Sequence, residues 1–196
     1  NGNIPAKDVY TVTTEIPAGR VTAFRLETLT GPLLPMKGPG WASNGNFVLN
    51  EFVVTSQPVG AKNAAATTKL TFATASTDWQ QEGYPAEHAI DGNMKTGWAV
   101  NGTKKSSPNV SREAIFVLKE PIESDAPLKI TFALHQQHNA PKYLIGTFRL
   151  SATDAAPEQT VVPPAIHSIL QVAADKRNDG QKELLTAAYG RSDLSR

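Results

Sequence analysis

The sequence contains no cysteine. That absence excludes a disulfide framework, thiolate zinc sites, covalently attached haem and thiol catalysis within this chain. An excess of charge of one sign is also lacking: 19 Lys and Arg stand against 18 Asp and Glu, a formal net charge of +1. No long-range attraction to nucleic acid or to an anionic membrane follows from that balance. No uninterrupted apolar run approaches the ~18 residues of a spanning helix, so membrane insertion is not expected. A Gly-x-Ser-x-Gly elbow, a phosphate-binding glycine loop and a His-Glu-x-x-His motif are all missing. The chain begins Asn-Gly-Asn, with neither an initiator Met nor a signal peptide. It reads as a mature protein or a segment of something longer.

What is present is a chain of 196 residues, 40% of them hydrophobic. That length suits one domain, or one domain with an appendage. Most of it reads as strands. Leu128, Ile130, Phe132 and Leu134 alternate with Lys129, Thr131 and His135. Tyr143 to Thr153 repeats the pattern, with Leu144, Phe148 and Leu150 on one side and Thr147, Arg149 and Ser151 on the other. Period two with one polar face marks antiparallel strands with one wet side. Ala114 to Leu118 is apolar on both faces and is expected in the middle of a sheet. Val21 to Leu29 and Lys69 to Ala75 are further expected strands. Phe47 and Leu49 share one parity while Phe52 and Val54 have the other, so a bulge near Asn50 and Glu51 is expected if both pairs reach the core; covering of both faces would serve as well.

Gly31 to Gly40 is Gly/Pro-rich and reads as a long loop without regular structure. Asn101 to Ser111 reads as a mobile loop. It holds two glycosylation-type triplets, Asn101-Gly102-Thr103 and Asn109-Val110-Ser111, which arise often by chance. Many strands, Gly/Pro-rich turns and almost no helix up to about residue 155 favour a sandwich or barrel. Residues 155–164 hold three prolines and little to pack, which reads as a linker after a domain spanning 1–154. Beyond it the period becomes helical. Ile166, Ile169, Leu170 and Ala173 fit one short helix, and Leu184, Leu185, Ala188 and Tyr189 a second, with Asn178 and Gln181 placed as a capping box. This helical extension, 165–196, reads as the start of a following domain.

The informative stretch runs from Asp78 to Trp98. Pro85 to Ile90 fits one helical turn, and Asp91-Gly92-Asn93 fits a sharp turn because Gly takes positive φ and Asp bonds its own backbone. The pattern Ala89-x-Asp91-Gly92-x-x-x-Thr96-x-Trp98 resembles the discoidin-like family, the coagulation-factor C-type and galactose-binding-like modules. At the level of the whole chain, Asn44 to Phe52, Gln81-Glu82-Gly83, Lys95 to Trp98 and Gly146 to Ser151 are similar to the sandwich segment of large planctomycete-type surface or periplasmic proteins that also carry cytochrome-c-like modules. The resemblance implies an all-β, antiparallel jelly-roll β-sandwich with a short α-helical C-terminal extension, glycan binding through loops at one end, and a structural calcium. It also implies an extracytoplasmic location (periplasmic, cell-surface or secreted) and neighbouring domains of a larger parent protein.

Calcium takes six to eight oxygen ligands. The resemblance places them at the carbonyls near Ala89 and Asn93, the Asp91 carboxylate and the Thr96 hydroxyl and carbonyl. The family usually adds a Glu from a late strand, but Ile145 to Thr153 holds no acidic residue, and Glu51 is the possible substitute. An Asp-Gly turn without metal is the alternative reading. For a sugar, aromatic faces with convergent polar groups are needed. Trp79, Tyr84 and Glu82 lie together in a polar loop, Trp41 lies in the Gly/Pro loop, and His135 and His138 end a strand; these are the candidate ligand residues. Trp98 is expected in the core. Glu82 and Glu87 are a weak candidate pair for glycoside hydrolysis. The expected function is non-catalytic binding of a glycan or polysaccharide, with a structural or protein-docking spacer as the alternative.

Overall fold

A strand that alternates apolar and polar residues buries one face only, so it must pair with strands whose apolar faces agree. The computed structural model describes residues 3–61, 67–101, 110–156, 166, 169–170 and 172–189. Its strands are β1 (Asp8–Ile16), β2 (Gly19–Leu29), β3 (Val48–Leu49), β4 (Glu51–Pro58), β5 (Thr68–Lys69), β6 (Phe72–Thr77), β7 (Trp98–Ala99), β8 (Arg112–Ser124), β9 (Leu128–Gln136) and β10 (Thr147–Thr153). Every pairing is antiparallel. One sheet has the order β1-β9-β4-β5, a second β10-β2-β8-β6, and β3 with β7 makes a two-stranded ribbon.

The two larger sheets share one core. Phe52, Val54, Ile130, Phe132 and Leu134 from the first are buried with Phe24, Leu26, Ala114, Phe116 and Leu118 from the second. Phe24 meets Phe132 edge-on at 5.2 Å, and Phe52 stacks on Phe116 at 4.2 Å. Such aromatic pairs add about 0.5–1.5 kcal/mol each to the burial itself. The fold is thus mostly β, with antiparallel sheets in a sandwich-like arrangement and one short helix among the described residues. β8 sits between β2 and β6, as the apolar run Ala114 to Leu118 requires. Trp98 is fully buried, as expected.

Three expectations need correction. The expected strand Lys69 to Ala75 is two strands in two sheets, with the chain crossing over at Leu70 and Thr71. The expected strand from Tyr143 begins only at Thr147. Leu144 and Ile145 are buried before it, held by the Trp41 N–H donating to the Leu144 carbonyl and the Ile145 N–H donating to Gln136 Oε1. The Gly31 to Gly40 loop contains one 3-10 turn, Pro35–Lys37. Strand β1 was not anticipated from the sequence at all.

The phase break has a structural cause. β3 pairs with β7 while β4 pairs with β9, and Asn50 is the joint between them. The Asn50 N–H donates to the carbonyl of His135, the residue that also opposes Glu51. Two residues thus face one, as in a bulge, and Phe47, Leu49, Phe52 and Val54 all reach the core.

The chain divides into two compact units, Asn1–Thr160 and Val161–Arg196. In the second, α1 (Asp179–Tyr189) opens with a reciprocal cap. The Asn178 N–H donates to Gln181 Oε1 at 3.0 Å, and the Gln181 N–H donates to Asn178 Oδ1 at 2.9 Å. Leu185 is buried with Ile166 and Ile169. Most of Asn101–Ser111 and of the expected linker 155–164 lies outside the described residues.

Candidate functional site

The sharp turn forms from local chemistry. Ala86–Ala89 makes one 3-10 turn with Ala86 and Ala89 buried beneath it. Gly92 then takes φ of +79°, which glycine reaches without strain. Asp91 folds the turn around itself. Its Oδ1 accepts the Asn93 N–H at 2.8 Å, and its Oδ2 lies 2.8 Å from Thr96 Oγ1, which is 2.7 Å from the Asn93 carbonyl. Asp91, Asn93 and Thr96 are therefore brought together, with Ala89 two positions before.

Glu51 completes the cluster from another element. It is 5% exposed, and its Oε1 has no hydrogen-bond partner. Burial raises the Glu51 pKa first, and the Asp91 carboxylate beside it raises it further; the Gly92 and Asn93 amides offset part of this. Two carboxylates with one unsatisfied buried oxygen make a centre that favours a proton or a cation. Glu51, Asp91, the Thr96 hydroxyl and the Asn93 carbonyl are all hard oxygen donors, which suits calcium. No group of three or more His, Cys, Asp or Glu exists among the described residues, so any cation here relies on backbone and hydroxyl oxygens for the balance.

Asn50 anchors this turn and was not anticipated as part of it. Its buried amide donates to the carbonyls of Met94 at 3.1 Å and Thr96 at 2.8 Å, and its Oδ1 accepts the Gln137 N–H at 2.6 Å. The same residue thus fixes the joint between β3 and β4, the Asp91 turn and the end of β9. The sequence gives no local sign of this, because its partners lie 44 to 87 residues away.

A groove of about 940 Å³ is lined by Trp79, Gln80, Gln81, Glu82, Gly83, Pro85, His88 and Asn101, mostly the chain just before the Asp91 turn, whereas Glu51 and Gly92 line a different cleft, with Lys69 and Leu70. Glu82 is exposed there, while Trp79 is partly buried against the core. One face of Trp79 is taken: the Arg112 guanidinium lies 5.3 Å from the ring centroid. Arg112 is itself held by Asp78 at 3.2 Å. Trp79 therefore offers an edge and at most one face, not a free platform. Its indole Nε1 and the Nδ1 of His88 are buried without partners.

The remaining candidates fall elsewhere. Tyr84 is partly buried with its ring 6.4 Å from that of His138, which lies 4.8 Å from Tyr143. These three make a separate aromatic cluster. Trp41 is partly buried in its loop. His135 sits on β9 opposite Glu51 and Val9, away from the groove lining. Burial, and then Lys69, lowers its pKa. Gln80, Gln81, Gly83, Pro85, His88 and Asn101 belong to the groove without having been singled out as ligand residues. For all but Asn101, which follows β7, the signal was position in the same Asp78–Trp98 stretch as Trp79.

Comparison with family models, with curated proteins and with solved structures found no match to this chain. No helix among the described residues is long and apolar enough to cross a membrane.

Proposed function

We propose that this chain is a non-catalytic carbohydrate-binding module of discoidin-like, jelly-roll type, carried by a larger extracytoplasmic bacterial protein. The observation that carries the reading is the groove at Trp79. It combines aromatic carbon with amide, imidazole and carboxylate groups, the mixture that matches the apolar ring face and hydroxyl edge of a sugar. One carboxylate, Glu82, lines it, whereas most glycoside hydrolysis uses two. The alternation of β1, β2, β4 and β6 between the two sheets supports the jelly-roll assignment. The Glu51–Asp91 centre supports a calcium ion that would hold the Asp91 turn, which continues directly from the Pro85 and His88 wall of the groove. In this role calcium supplies charge neutralisation and rigidity, and no chemistry.

A screen of the isolated chain against glycans and polysaccharides, with calcium and with chelator, tests this. Binding weakened by Glu82→Gln supports the groove; binding indifferent to groove substitutions points to the Tyr84–His138–Tyr143 cluster instead. The second reading, a protein-docking spacer, has one observation in its favour. Leu170 and Leu184 of the C-terminal unit are 40% and 54% exposed. Absence of any sugar ligand would favour that reading.

A further inference from the structure

Strand β1 lies at the end of its sheet, and among the described residues no strand pairs with its outer edge. Proteins guard such edges with short strands, bulges, prolines or charges. The other ends of the two larger sheets are shorter or broken. β5 has two residues, β6 has six with a register break, and β10 has seven. β1 runs nine residues in unbroken register with β9. Between Val9 and Thr14 it has only Val, Tyr and Thr, all strong strand formers.

The backbone direction of this edge can be read from three contacts. In an antiparallel strand the N–H and C=O of one residue point the same way. The His135 carbonyl accepts from Asn50, on the β4 side, so His135 turns away from its opposite residue Val9. The Asp8 carbonyl accepts from Gln137 Nε2, on the β9 side. The Val9 N–H is met only locally, by Asp8 Oδ1 at 2.8 Å. Val9, Thr11, Thr13 and Glu15 therefore project their N–H and C=O groups outward.

We propose that this edge is a self-association surface, where a second copy of the chain adds antiparallel with Thr11 on the two-fold axis. Face parity requires odd residues to oppose odd ones, so that Tyr10, Val12 and Ile16 of both copies stay on the core side. Centring on Thr11 opposes Val9 with Thr13 of the second copy, and Lys7 with its Glu15. Lys7 and Glu15 are both exposed. Each end of the pairing thus gains an opposite-charge pair, which stabilises cross-strand neighbours. Centring on Val12 would oppose Val9 with Glu15, and centring on Thr13 would oppose Thr11 with Glu15; neither gives a charge pair. The Thr11-centred pairing supplies about six backbone hydrogen bonds from Val9, Thr11 and Thr13 of the two copies. It does not depend on the sugar reading.

Sedimentation equilibrium of the full chain, from about 1 μM to 1 mM, tests it, because an edge pairing this small should associate weakly. A reversible dimer is expected. Thr11→Pro should weaken it at least about tenfold while keeping the fold, since the Thr11 N–H faces outward and proline is tolerated on an edge. Lys7→Glu should weaken it about tenfold at low salt, and adding Glu15→Lys should restore it. If Thr11→Pro fails to fold, the charge exchange decides alone. A chain that stays monomeric to 1 mM overturns the proposal. So does a dimer that neither Thr11→Pro nor the charge exchange alters.

Discussion

Glu51→Gln should stabilise the chain in chelator and remove its response to calcium. Glu51 is 5% exposed, one oxygen has no partner, and the charge that acts on it is the like charge of Asp91. An unsatisfied buried group of this kind costs about 1–3 kcal/mol. Glutamine keeps the shape, removes the charge and turns one oxygen into a donor aimed at Asp91. A net gain of about 2 kcal/mol corresponds to a rise of about 4–8 °C in Tm for a chain of this size. Calcium acts oppositely. At a hundred times its Kd it should stabilise the wild type by about 2.7 kcal/mol, and Glu51→Gln far less. The pH dependence has a definite sign. Burial and Asp91 raise the Glu51 pKa above its ordinary 4.5, so the folded state holds a proton that the unfolded state releases. In chelator, that contribution to stability is present below pH 4.5 and is lost as pH rises through the raised value. Glu51→Gln should flatten that part of the profile. Thermal melts of both proteins in calcium and in chelator, across pH 4 to 8, are the assay. Equal calcium stabilisation of both, or a Glu51→Gln variant less stable than wild type in chelator at pH 7, would show that Glu51 is neither an uncompensated buried charge nor a calcium ligand.

Asn50→Ala removes two donors and one acceptor from a buried junction. It should cost about 3 kcal/mol in urea unfolding, and a loss under about 1 kcal/mol would deny Asn50 its anchoring role. Gly40→Ala places a Cβ 2.0 Å from the Asn46 carbonyl oxygen and 2.8 Å from the Phe47 nitrogen, both backbone. It should fail to give soluble folded protein, whereas Gly60→Ala, where no atom lies within 4 Å, should cost only about 1 kcal/mol for its positive φ; circular dichroism melts compare the two. Glu82 is exposed in the groove, so Glu82→Gln should leave Tm unchanged while weakening sugar affinity about tenfold by calorimetry.

What was legible in the sequence was local. The alternation along β9 named both its faces, and the Asn178–Gln181 cap fixed the start of α1 to the residue. The Asp91 turn was readable because its bonds span five residues or fewer. The opposite parities of Phe47 and Phe52 announced the irregularity at Asn50, though not the change of pairing partner behind it. β1 escaped because three threonines dilute its alternation of Tyr10, Val12 and Ile16. The crossover within Lys69–Ala75 escaped because apolar spacing does not say which sheet a residue joins. In the site, the Arg112 that covers one face of Trp79 comes from 33 positions away, on β8. Only the fold shows that contact, and it changes Trp79 from an expected platform into a wall of the groove.

Sugar in the Trp79 groove and calcium at the Glu51–Asp91 centre should both register in a single binding experiment. Titration calorimetry of the isolated chain with the best polysaccharide from the screen, in calcium and then in chelator, tests them most directly. Saturable binding that Glu82→Gln weakens and chelator reduces is expected. Binding unaffected by both, or no binding to any glycan in either condition, would contradict these assignments.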